Sequence, residues 1–176
     1  MSNFSESISE AVANRLLSFV PGSANNVIMP RVAKKVASAY TGATANSHGD
    51  HDGTADPYTI FKVDGAVAIY DFFGVVRTAV VSASDTGTLE VGVAGNTAKL
   101  LAQTTAGSGT LVAGDVLVDA GAEAGIDVNA FSGAKHYIGA GADIIETLAT
   151  NNMNSGQIDW YCIWAPLEAG AAVYPA

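Results

Sequence analysis

Gln157-Ile158-Asp159-Trp160-Tyr161-Cys162-Ile163-Trp164 is the stretch on which the fold turns. Ile158, Trp160, Cys162 and Trp164 fall on one face of an extended chain, and Tyr161 and Ile163 on the other. Successive side chains of a strand point to opposite faces, so this segment carries large apolar groups on both. A strand of that kind belongs in the middle of a sheet, covered on two sides. Pro166 ends it, because proline cannot donate to a central ladder.

Working back from this strand, the same pattern recurs in shorter pieces. Tyr58 to Asp64 is rich in aromatic and β-branched residues, and Gly65 marks a turn before Ala66 to Phe73. Gly74 reads as a bulge before Val75 to Ser84. Leu89, Val91 and Val93 alternate with Glu90 and Gly92, between turns at Asp85-Thr86-Gly87 and Gly95-Asn96. Lys99 to Gln103, Leu111 to Asp119 (interrupted at Gly114-Asp115) and Ile144 to Leu148 complete the set. Short strands at this spacing predict a mainly β protein, an antiparallel β-sandwich of the jelly-roll kind, over residues 58–176.

Two earlier segments read differently. Asn3 with Glu6 has the spacing of a capping box, and Phe4, Ile8, Ala11, Val12, Leu16, Phe19 and Val20 form one stripe at helical spacing, ended by Pro21-Gly22. A second helix is expected over Arg31 to Tyr40, with Pro30 in its first turn and Val32, Val36 and Tyr40 on one face. Residues 1–40 are thus expected as a helical, basic anchoring segment. Residues 41–57 lack apolar periodicity and read as a flexible linker, where the domain boundary falls.

Of 176 residues, 49% are hydrophobic and only 14% charged, against about 25% charged in an ordinary soluble domain. A surface so poor in charge favours association, and burial against other chains is the expectation. The net charge of −9 is uneven. Residues through Lys35 carry a net +2 (Arg15, Arg31, Lys34 and Lys35 against Glu6 and Glu10), and the remainder a net −11. An acidic body argues against nucleic acid, whose phosphates need clustered Lys and Arg. The basic stretch fits an acidic protein surface, or is simply a solvated turn. The lone Cys162 rules out an internal disulfide and reads as a small buried hydrophobe. The N-terminus lacks a secretion signal and no apolar run reaches the roughly 20 residues of a membrane span, so synthesis in the cytoplasm is expected.

Few residues point to chemistry. His48-Gly49-Asp50-His51-Asp52, with Asp56, offers metal-ligand types, but its spacing matches no tight zinc motif; a solvated linker is the other reading. His136 has no partnered base in sequence, and an apolar setting makes Cys162 inert as a nucleophile. Asp115 and Asp119, four apart on a strand, would stand roughly 13 Å apart, too far for a glycosidase pair. The glycine-rich pieces at 107–109 and 139–143 lack a dinucleotide or P-loop fingerprint. No catalytic residue, metal or cofactor is assigned, and the chain is expected not to be an enzyme.

The ending Gly156-Gln-Ile-Asp-Trp160-Tyr-Cys-Ile-Trp164-Ala-Pro166-Leu167-Glu-Ala-Gly170-Ala171-Ala-Val173 resembles the closing strand of small virion structural proteins of tailed bacteriophages. Phe61-Lys-Val63-Asp-Gly65 leading into Ala66-Val67-Ala68-Ile69 is similar to their opening strand pair. The resemblance spans about residues 58–176 and implies a place on the capsid or tail. On the capsid it implies a cement or decoration protein, β-rich, often trimeric, seated on the outer shell against the major capsid protein. It brings no catalytic residues. The segment before it is then expected to anchor the protein through Phe4, Ile8, Val12, Arg15, Leu16, Phe19, Arg31, Lys34 and Lys35. A tail, baseplate or fibre component is the alternative location. A carbohydrate-binding adhesin is the alternative class, with Tyr58, Tyr70, Tyr137 and Trp160 as stacking residues.

Overall fold

The computed structural model describes residues 29–54, 56–107, 109–119, 121–123, 136–139 and 141–176. Their secondary structure is entirely β: β1 (Arg31–Ala39), β2 (Tyr58–Asp64), β3 (Val67–Ser82), β4 (Thr88–Val93), β5 (Asn96–Thr105), β6 (Val116–Val118), β7 (Gly121–Glu123), β8 (His136–Ile138), β9 (Ile144–Ala149), β10 (Met153–Pro166) and β11 (Ala172–Pro175). They form two sheets, β1-β10-β3-β6-β7 with β8 also on β3, and β11-β2-β9-β4-β5. Every pairing is antiparallel. The pairs are nested: β1 with β10, β2 with β9, β3 with β8, and β4 with β5.

The double-faced strand sits where its composition demands. β10 lies between β1 and β3, and Ile158, Trp160, Cys162 and Trp164 all point into the core. Rings tie the sheets together there. Phe61 of β2 meets Phe72 of β3 edge-on at 6.4 Å, and Phe72 stacks on Trp160 at 5.5 Å. Such ring pairs add about 0.5–1.5 kcal/mol each beyond the area they bury. Leu89, Leu100, Leu101, Leu111, Leu117, Ile138 and Ile144 fill the rest of the core.

Gly74 does not break β3, which runs through it for sixteen residues. It pairs in register with Trp160, and a Cβ there would lie 2.6 Å from the indole ring. The glycine is thus the room that the tryptophan occupies. The expected strand from Leu111 to Asp119 shrinks to β6, with Leu111 buried in the turn before it.

Residues 31–40 correct the helical expectation: Arg31 to Ala39 is an edge strand. The spacing of Val32, Val36 and Tyr40 fits a helix, but the extended chain satisfies it as well. Ala33 turns into the core, while Val32 and Val36 stay exposed on the other face. A register shift between Lys35 and Ser38 precedes the buried Tyr40. The open edge of β10 decides the matter, because its backbone groups need a ladder partner that a helix cannot supply. The helix expected over residues 3–20 lies outside the described residues.

Between β1 and β2, residues 41–54 and 56–57 form turns drawn against the start of β10. Gly42 N–H donates to the Met153 carbonyl (2.9 Å), and Met153 N–H donates to the Gly49 carbonyl (2.7 Å). A Cβ on Gly42 would stand 2.1 Å from the Gly49 oxygen, so this approach needs glycine.

Gly74→Ala tests the packing of β3 on β10. Trp160 is fully buried and has no room to retreat. Overpacking of this kind costs about 1–3 kcal/mol. Urea unfolding should show that loss with an unchanged slope, and near-ultraviolet circular dichroism should show an altered tryptophan band.

Candidate assembly face

The outward side of the first sheet collects the side chains that its core does not use. β1 contributes Val32, Lys34 and Val36, β10 contributes Asp159, Tyr161 and Ile163, and β3 contributes Asp71, Phe73, Val75 and Arg77. Register sets them in rows. Val32 lies beside Ile163 and Ile163 beside Asp71; Lys34 lies beside Tyr161 and Tyr161 beside Phe73; Asp159 lies beside Val75. Val32 and Val36 are 66% and 62% exposed, and Phe73, Val75, Tyr161 and Ile163 are half-buried.

At the centre is a carboxylate that water scarcely reaches. The Asp159 side chain is 5% exposed. Arg77 Nε donates to its Oδ2 at 2.9 Å, and Lys34 Nζ lies 3.3 Å from the same oxygen. Arg77 also donates to the Tyr161 hydroxyl at 3.1 Å, and Tyr161 stacks on Phe73 at 4.8 Å with the rings 9° apart. Lys34 lies 5.0 Å from the Tyr161 ring. Tyr161 and Asp159 hold the Lys34 ammonium above its ordinary range, and Asp159 and Tyr161 do the same for Arg77. A buried carboxylate is tolerable only when paired and hydrogen-bonded, as this one is. The result is an aromatic and aliphatic face with its charges largely cancelled. Interfaces between proteins favour that composition, rich in aromatic residues and Arg around a core poor in net charge.

The nine residues expected to anchor the protein divide at Met29. Phe4, Ile8, Val12, Arg15, Leu16 and Phe19 lie outside the described residues. Arg31, Lys34 and Lys35 all lie on β1, each near an aromatic ring of the body. Arg31 lies 5.4 Å from Trp164, Lys34 is bound as above, and Lys35 lies 5.8 Å from Tyr58 while its ammonium donates to the Ala176 carbonyl.

The histidine-rich loop does not converge on a point. His48 turns inward to Glu146 of β9, and His51 Nδ1 donates to Asn152 Oδ1 at 2.6 Å. Among the described residues no group of three or more His, Cys, Asp or Glu is placed to hold a metal. Burial, with a smaller push from Asp71, raises the Cys162 thiol to about 12, in keeping with the apolar setting expected of it. His136 lies 3.9 Å from Asp119, and Asp115 accepts from the Val112 N–H at 2.8 Å. Of the four rings considered for sugar stacking, Trp160 is fully buried, Tyr58 is covered by His48, Tyr70 is half-buried and Tyr137 is 61% exposed.

Sequence reading missed Asp159 and Glu146. Asp159 stands between two apolar core positions, and only its burial on the outer face marks it. Glu146 lies inside the apolar run Ile144-Ile145-Glu146-Thr147-Leu148, and a carboxylate at an inward position was the available signal. No family model matches this chain, and neither does a curated protein or a solved structure.

Asp159→Ala should release Arg77 and Lys34 and open the face. Both cations reach solvent and are screened, so the expected loss is small for a charge-assisted pair. Thermal unfolding should record that loss, with a weaker dependence on salt than the parent protein shows.

Proposed function

We propose that this chain is a virion structural protein of a tailed bacteriophage, a capsid cement or decoration protein that assembles with its own copies and with the major capsid protein. In this reading the body is a jelly-roll-like sandwich. Support comes from the nested strand pairs, the order obtained when a long antiparallel hairpin wraps into two Greek keys, an architecture used by viral capsid and lectin domains. The observation that carries the reading is the outer face of the first sheet, with Val32 and Val36 exposed beside the Phe73–Tyr161 stack in a chain only 14% charged. Copies associate through this face as a trimer, and the stripe from Phe4 to Phe19 engages the capsid lattice. Each contact is weak, and repetition over the shell turns weak contacts into avidity.

The test uses the full chain, its Val32→Asp/Val36→Asp variant, and a chain lacking residues 1–28, which keeps every described strand. Sedimentation equilibrium should give a trimer for the full chain and the truncated one, and a monomer for the double variant. Binding to heads of the parent phage should fall more than about tenfold for both altered chains, a loss of at least 1.4 kcal/mol. A full chain that stays monomeric at high concentration and leaves heads bare sinks the proposal. Labelling of tails rather than heads moves the protein to the tail.

A further inference from the structure

His48 bridges the two sheets. Its ring lies between two tyrosines, 3.8 Å from Tyr58 and nearly parallel to it, and 4.6 Å from Tyr40. Nδ1 stands 3.0 Å from the Ala39 carbonyl oxygen at the end of β1, in the first sheet. Nε2 stands 3.0 Å from Oε1 of Glu146, on β9 in the second sheet. The Glu146 side chain is fully buried, and that of His48 is nearly so.

The two partners decide the protonation state. A carbonyl and a carboxylate only accept hydrogen bonds, and a neutral imidazole has one N–H to give. With a proton on each nitrogen both contacts are hydrogen bonds; with one proton missing, a lone pair faces an acceptor in a setting that water barely enters. The site therefore requires a proton that the unfolded chain does not hold at neutral pH.

We propose that residues 41–57 form a proton-operated latch: an imidazolium at His48 clamps the end of β1 to Glu146 of the opposite sheet, and loss of that proton frees the loop. The proposal does not depend on the virion reading.

The surrounding groups act in the same direction. Burial works against a charge on His48, but the Glu146 carboxylate and the Ala39 carbonyl outweigh it, together holding the imidazole above its ordinary 6.5 although Lys35 opposes them. Burial, then the Glu146 charge, raises Asp56 to about 6 even though its Oδ1 accepts from the Leu148 N–H and His51 and His48 lie near. Burial and then Glu146 hold the Tyr40 hydroxyl well above its usual range, so it stays neutral throughout. Lys35 on β1 lies over Tyr58, and Asp52 lies beside His51 at the loop surface.

Both titrating groups have raised native values, so the folded loop binds more protons than the unfolded one. For His48 the stabilisation is complete below about 6.5 and is lost as pH climbs through the raised native value. For Asp56 the folded form is favoured on acidification through about 6 toward its ordinary 3.8. Acid tightens the latch and alkali loosens it, the reverse of the usual carboxylate-driven behaviour.

The experiment is amide hydrogen exchange on the full chain at about pH 5.5 and about pH 8.5, corrected for intrinsic rates, with the His48 ring followed by nuclear magnetic resonance. The reporters are the Thr41, Gly42, Asp50 and Met153 amides, which bond within the loop or between it and β10. Their protection should fall severalfold on going to the higher pH, while amides of β3 hold theirs. The ring should titrate above 6.5. In His48→Gln that dependence should be mostly gone; in Asp56→Asn it should persist at smaller amplitude. Equal protection at both pH values, a ring midpoint below 6.5, or a dependence that survives His48→Gln and disappears in Asp56→Asn overturns the latch.

Discussion

A strand with tryptophans on one face and a tyrosine and an isoleucine on the other cannot lie at the rim of a sheet. β10 meets that constraint by taking a neighbour on each side and a layer of rings beneath. Much else follows from it. β1 is extended because the free backbone of β10 needs a partner. Gly74 lacks a side chain because Trp160 takes that volume. The second sheet is held opposite because Phe61 reaches across to Phe72, and Phe72 to the same indole. The apolar residues left on the outside of β10 and its neighbours then make a face that has no core of its own to enter.

Among the described residues two carboxylates are buried, Asp159 and Glu146, and their charges are met in opposite ways. Asp159 lies under two long cationic side chains that reach in from solvent, so its neutralisation depends on flexible, screened partners. Glu146 is met by one rigid ring held between two tyrosines, so its neutralisation depends on a proton. The first arrangement gives Asp159 two partners, so that if either Lys34 or Arg77 turns away the other still pairs the buried charge. The second serves a joint between sheets, where any loss of the partner is felt by the strand it secures.

The strands that pair along their length through apolar alternation were legible in the sequence: β2 at the expected bounds, β4, β5 and β9 within a residue or a few, and the centre of β10. Where tertiary demand overrides local pattern, the reading went astray. Val32, Val36 and Tyr40 satisfy helical and extended spacing equally, and only the vacancy beside β10 distinguishes them. β7, β8 and β11 are too short for periodicity to register. The loop from Thr41 to Pro57 has the composition of a solvated connector, and its attachment depends on Gly42 and Gly49 lying flat against Met153, a long-range contact with no local signature. The outer face was foreshadowed by the scarcity of charge, but its position needed the register of three strands. His48 was noticed for its neighbours in sequence, whereas its partners come from β1, β2 and β9.

The nested pairing also sets an order of events. Among the nested pairs of described strands, β4 and β5 alone join through a tight local turn; every enclosing pair must close a longer loop, and such closure slows folding as the separation grows. Structure should therefore spread from that hairpin outward, through β9 and β2, and reach β1 and β10 last. On the ribosome the problem is sharper, because β1 leaves the exit tunnel before its ladder partner β10, which follows more than a hundred residues later. Until then a strand bearing Val32 and Val36 waits with both edges open. Lys34 and Lys35, adjacent in its middle, are the kind of charge that keeps such an edge from joining another nascent chain, so these lysines guard the polypeptide before they serve the finished protein.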